Sequence, residues 1–144
     1  MSWSAQYIGL PYAAKGRTDR GCDCWGLACL VYAQELGITL PRYDNEYACD
    51  SERAEIAALI SAENAPPNWQ ELDQNAAQPF DLVLFRPGRL AAHVGIMVDA
   101  RRALHMDRTD HAKILDLQSP MWRGRIEGVY RHFKAPVNAS VKVV

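Results

Sequence analysis

The chain has 144 residues, 49% hydrophobic and 23% charged, which is the balance of one globular domain and excludes an intrinsically disordered segment. Its 16 basic and 17 acidic side chains are well mixed and leave a net charge of −1, which argues against a nucleic-acid groove or a polybasic membrane patch. No stretch approaches the ~20 apolar residues that span a bilayer. The N-terminus "MSWSAQYIGLPY" has neither the basic nor the apolar region of a signal peptide, so synthesis in a bacterial cytoplasm without secretion by that route is expected.

Residues 2–9 suggest a short helix ending near Gly9-Leu10-Pro11, and the polar loop "AAKGRTDRG" leads into "GCDCWGL". From Cys24 onward Leu27, Leu30, Val31 and Leu36 fall on one helical stripe, with Asp23 as N-cap and Gly37 as the C′ residue. A second helix is expected over 52–62. After Pro79 the period changes to that of strands, with β-prone segments at 81–85, 93–98, 103–106, 113–117 and 128–133. Helices first and strands second predict an α+β fold with an antiparallel sheet of five or six strands joined by hairpins. One domain is expected over 1–134, followed by a tail over 135–144.

The four cysteines fit no metal template, because one C-x-C pair and two scattered residues are not the repeated C-x₂-C of a zinc ribbon. A structural disulfide is disfavoured where thiols stay reduced. Cys24 stands apart because it opens a helix, where unpaired N–H groups and the positive end of the dipole favour a thiolate. The plain alternative is a small buried hydrophobe. Cys29 lies deeper in the helix and reads as a packing residue, and Cys22 as a bystander at the rim.

A nucleophilic cysteine needs a base, usually histidine. His132, near the end of the last strand, reads as peripheral, and His111 sits in the polar turn "RTDHAK". His93 and His105 each occupy a strand. By alternation His93, Gly95 and Met97 share one face, as do Ala103 and His105 on the next strand. An odd-numbered turn such as Asp99-Ala100-Arg101 would put Gly95 opposite His105 and His93 on the diagonal. Two adjacent imidazoles suit a base and the group that orients it.

These residues together resemble the NlpC family of cell-wall cysteine peptidases. "DCWGL" (23–27) is similar to its D-C-x-G-L motif, "HVGIMV" (93–98) to H-V-G-I after a strand matched by "FDLVLF", His105 to the polar residue about a dozen positions later, and "GLPY" to its G-x-P-Y segment. The resemblance implies a papain-like fold with Cys24 as nucleophile, His93 as base, His105 as its orienting partner and no cofactor or metal. It also implies that Tyr12 lines the site, with Trp25 either a groove wall or a core residue. The substrate implied is a peptidoglycan stem peptide cut at a D-γ-glutamyl–diamino acid bond, its carboxylates met by Arg86, Arg89 or Arg101. Asp81 reads as a turn residue and not a catalyst, and Phe80 stands where the family usually has glycine. The C-W-G-L form with "ELGITLPRY" is similar to the phage and prophage tail-associated branch, which implies a virion-tail location, phage tail proteins as partners, and as an alternative a non-enzymatic or dual role in tail assembly.

Overall fold

A computed structural model of the chain describes residues 3–13, 16–40, 69–85, 93–107 and 110–135. A 3-10 turn over Trp3–Tyr7 opens the described chain, and Gly9 follows in the left-handed region at φ 99°. A small ribbon of β1 (Arg17–Thr18) and β2 (Gly21–Cys22) precedes helix α1 (Cys24–Val31). The expected caps are in place. The Asp23 carboxylate accepts a 2.7 Å hydrogen bond from the Gly26 N–H, and Gly37 takes the left-handed conformation at φ 69° that ends the segment.

The last turn, Tyr32–Leu36, widens from α to π geometry. The helix is also more enclosed than a one-sided stripe predicts, since all eight residues of α1 are buried. The sheet covers part of it, and Trp3, Leu10 and Tyr12 from the N-terminal segment pack against the same core. The helix expected over 52–62 lies outside the described residues, as do Cys49, Arg86, Arg89 and 136–144.

Among the described residues, six strands form one antiparallel sheet: β3 (Trp69–Leu72), β4 (Leu82–Phe85), β5 (His93–Met97), β6 (Arg102–Met106), β7 (Ala112–Asp116) and β8 (Ile126–His132), in the order β3-β8-β4-β5-β6-β7. Strands β4 to β7 form the expected hairpin series. β8 departs from it, returning across the sheet to pair with β4 and β3. β3, the ribbon and the short helix α2 (Pro120–Arg123) carry no strong sequence signal and were not expected.

Alternation divides the core. Leu82, Leu84, Val94, Ile96, Leu104 and Met106 join α1 on one face, while Val83, Phe85, Met97, Ala103 and Val129 form the core of the other. At the β7 edge, residues 9–12 continue the hydrogen bonding. The Gly9 N–H donates to the Ala112 carbonyl at 2.9 Å, the Ala112 N–H to Leu10 at 2.8 Å, and Tyr12 bridges Cys22.

Phe80 holds a left-handed backbone at φ 77°, the one described non-glycine residue to do so. Glycine adopts such a backbone without steric cost. The strain, ~1–2 kcal/mol for an L-residue, is held by packing. The ring stacks on Trp3 with centroids 4.5 Å apart, the N–H donates to the Met97 carbonyl at 2.9 Å, and the carbonyl accepts from the Tyr32 hydroxyl. Phe80→Gly is expected to be ~1 kcal/mol more stable than Phe80→Ala, because both lose the ring and only glycine accepts this backbone freely. Urea denaturation of the two variants checks the difference, and an alanine variant equal to glycine would remove the strain from the account.

Candidate active site

The turn between β5 and β6 is the three-residue Asp99-Ala100-Arg101, closed by a 2.8 Å bond from the Val98 N–H to the Arg102 carbonyl. The Asp99 carboxylate fixes it by accepting from the N–H groups of Arg101 and Arg102, both at 2.9 Å. This odd count sets the register, so Gly95 faces His105 directly and His93 lies on the diagonal. The consequence is a buried contact of 2.9 Å between His93 Nε2 and His105 Nδ1. The space above Gly95 is taken by Phe85, whose ring would lie 3.3 Å from an added Cβ.

Which ring donates depends on the tautomers of the two imidazoles. Burial pushes the His105 imidazole down to about 4, with Lys113 adding to the effect and Asp107 partly opposing it. At neutral pH His105 is therefore uncharged and can accept at Nδ1 from His93 Nε2–H. In the tautomer of His93 that donates from Nε2, Nδ1 is the unprotonated ring nitrogen, the form a general base needs.

The same shift links the fold to pH. A histidine with a lowered folded value contributes stability that is full above its unfolded value of 6.5 and is lost as pH falls toward about 4. The loss is up to ~3 kcal/mol for His105, and His132, also lowered by burial, acts in the same direction. Thermal melts between pH 7 and pH 4 should show a steep fall in Tm that is shallower in His105→Asn. An unchanged slope would remove His105 from the acid response.

Cys24 opens α1 and is 5% exposed. The helix packs across β5 and β6, the strands that carry the two histidines. The hydrogen-bonded path fixes which end it occupies. Tyr12 bridges Cys22 and its N–H reaches the Asp110 carbonyl, next to the start of β7, where Ala112 faces Met106. His105 precedes Met106, and His93 begins β5 at the same end. Cys24, His93 and His105 are thus gathered at one end of the sheet. Tyr12 is half-buried beside Cys22 and packs against the α1 core, which keeps it at this end as well.

Other expectations are corrected. The Trp25 indole has no exposed surface, so it belongs to the core and not to a groove wall. Cys22 is also fully buried and is no rim residue, because β2 tucks it beneath the N-terminal segment. His132 is buried, not peripheral. β3 covers it, with the Trp69 ring edge-on at 4.8 Å and Tyr32 at 6.0 Å. Arg101 sits at the turn beyond Met97, about 13 Å along β5 from His93 at the usual strand rise, and binds Asp116 at 3.0 Å. It is not positioned to meet a substrate at the histidines.

One residue near the pair has no sequence signal. Trp122 of α2 lies against Phe85, His93 and His105, with ring centroids at 4.9, 6.1 and 5.5 Å. It stands in a short turn after "LQSP", and only the return of β8 brings it over the histidines.

The family model for NlpC/P60 matches residues 9–131, a span that holds Tyr12, Cys24, His93 and His105 together. The chain belongs to the NlpC/P60 family. It is 28% identical over 125 residues to the murein DD-endopeptidase MepS/murein LD-carboxypeptidase of Escherichia coli (strain K12), covering 87% of this chain and 57% of that protein. It is 31% identical over 129 residues to the gamma-DL-glutamyl hydrolase of Bacillus subtilis (strain 168), covering 88% of this chain and 27% of that one. The chain therefore spans just over half the length of the first relative and about a quarter of the second. Among solved structures, a Staphylococcus aureus Mu50 protein described as similar to a lipoprotein of the NLP/P60 family superposes with TM-score 0.60 at 26% identity, over 90% of this chain and 38% of that one. The NlpC/p60 domain of the peptidoglycan hydrolase SagA shares the fold, with TM-score 0.61 at 18% identity over 89% and 92% of the two chains.

Proposed function

We propose that the chain is a cysteine hydrolase that cleaves an amide bond in the peptide stem of bacterial peptidoglycan, at a D-γ-glutamyl–diamino acid linkage. The observation that carries this reading is the 2.9 Å His93–His105 pair at the sheet end where a capped helix begins with Cys24. The murein and glutamyl hydrolases among its relatives support it.

In this reading His93 Nδ1 takes the Cys24 thiol proton and the sulfur attacks the amide carbonyl. The oxyanion is met by the backbone N–H of Cys24. Collapse breaks the C–N bond, and the imidazolium returns its proton to the leaving amine. Water then attacks the thioester, His93 takes the water proton, and the acid and the thiol are released. His105 keeps Nε2 of His93 protonated throughout. In this reading the sulfur and His93 come together at the end of the sheet where α1 and β5 both begin. Digestion of purified peptidoglycan, with mass spectrometry of the fragments, tests the assignment. The expected products carry new amine termini on the diamino acid, and an absence of new termini would overturn it.

The tail-associated setting is a further part of the proposal, supported by the C-W-G-L form and "ELGITLPRY". It predicts that the protein sediments with assembled virions. If a Cys24→Ala phage assembles and infects thin-walled cells normally, the need is enzymatic and not architectural.

A further inference from the structure

Helix α2 is four residues long, too short to hold itself by its own ladder. Its N–H groups at Trp122 and Arg123 both donate to the Ser119 carbonyl, at 3.1 and 2.9 Å, and Met121 stands 65% exposed. The helix is tied to the sheet by Trp122, which touches all three rings of the cluster below it.

His93 is enclosed by aromatic rings. His105 stands edge-on at 5.2 Å and 89°, Phe85 lies tilted at 5.8 Å and 35°, and Trp122 lies nearly parallel at 6.1 Å and 29°. Trp122 also meets His105 at 71° and Phe85 at 63°, so its indole spans the seam where the two imidazoles bond. We propose that Trp122 is a positioning residue for the histidine pair, one that shields the His93–His105 hydrogen bond from water and stabilises the imidazolium formed on His93. The inference rests on the cysteine-hydrolase reading, in which His93 gains a proton from Cys24 and later gives it up.

The physical reason is that a buried cation needs compensation, which the Cys24 thiolate supplies only until the sulfur attacks. His105, its imidazole held low by burial, hydrogen-bonds to His93 but brings no charge at neutral pH. The charged groups on the adjoining strands, Asp107 and Lys113, bond to each other at 3.1 Å and act on His105 with opposite signs. An aromatic face supplies negative potential without a charge to neutralise, and tryptophan supplies the most. Excluding water also strengthens the bond between the rings. The position is specific, since leucine would keep the bulk and lose the face, and phenylalanine would keep a smaller face.

The test uses the full chain and two readouts, peptidoglycan cleavage and the pH profile of Cys24 alkylation by iodoacetamide, localised by fragment ions because Cys22 and Cys29 are neighbours. Trp122→Leu is expected to lower Cys24 alkylation near pH 6 and kcat each by ~10-fold, with KM within about twofold, and Trp122→Phe to restore most of both. A tryptophan fluorinated on its benzo ring, placed at 122, keeps the shape and weakens the face, so it should reproduce the leucine profile even if leucine unfolds the chain. Equal profiles for wild type and the fluorinated form, or equal impairment by leucine and phenylalanine, would overturn the inference. A wild type with an ordinary thiol at Cys24 and no cleavage would instead overturn the hydrolase reading.

Discussion

Cys24→Ala is expected to abolish the release of new amine termini from peptidoglycan, a loss of ~10⁴-fold or more by comparison with other nucleophile deletions. The fold should survive. Removing one sulfur from a small buried side chain leaves a minor cavity, about 1 kcal/mol at most, and the Asp23 carboxylate still caps the helix through the Gly26 N–H. His93→Ala should cost nearly as much, because the thiol then loses its proton acceptor. The double variant should be little worse than either single one, since nucleophile and base act as a unit. His105→Ala should be milder, ~10²–10³-fold, as it removes the partner that fixes the His93 tautomer and not the base itself. The measurement is kcat/KM on one defined stem peptide with near-ultraviolet circular dichroism as a folding control. A folded Cys24→Ala chain that cleaves at the wild-type rate would end the proposal.

The geometry of the candidate site was legible in the sequence to the extent that it depends on local rules. Asp23 before an apolar helical stripe marks the N-cap, and the cap singles out Cys24 from Cys22 and Cys29. Two-residue alternation with a three-residue turn fixes Gly95 opposite His105, which brings His93 to its partner. What was not legible depends on chain return. β8 pairs with β4 and β3 instead of β7, and no local pattern announces that choice. His132 therefore read as peripheral although β3 buries it, and Trp122 gave no sign of lying over the histidines. Burial has the same origin. Cys22 and Trp25 look like surface candidates in a polar stretch, yet the N-terminal segment folds over one and the sheet core encloses the other.

The largest stability effect is expected far from the histidines, at Asp81. Its side chain is 1% exposed and both oxygens are held by Arg131 of β8, Nε to Oδ1 and Nη2 to Oδ2 at 2.9 Å each. Oδ2 also accepts from the Gln78 N–H at 2.9 Å, and Arg131 Nη2 reaches the Ala76 carbonyl at 3.0 Å. The pair thus fastens the turn before β4 to β8, at the crossover that the hairpin series does not explain. Arg131→Ala would leave a buried carboxylate without its cation, at a cost of ~3–5 kcal/mol. Arg131→Lys should recover only part, since an ammonium cannot donate to both oxygens in a fork. Replacing both partners is different in kind. Asp81→Leu with Arg131→Leu removes the stranded charge along with the bond, so the double variant should be more stable than Arg131→Ala despite losing more polar contacts. Urea denaturation of the four proteins distinguishes the cases. An Arg131→Ala chain within ~1 kcal/mol of wild type would place the pair among weak surface bridges and would leave the β4–β8 junction to be held by its backbone ladder and apolar packing alone.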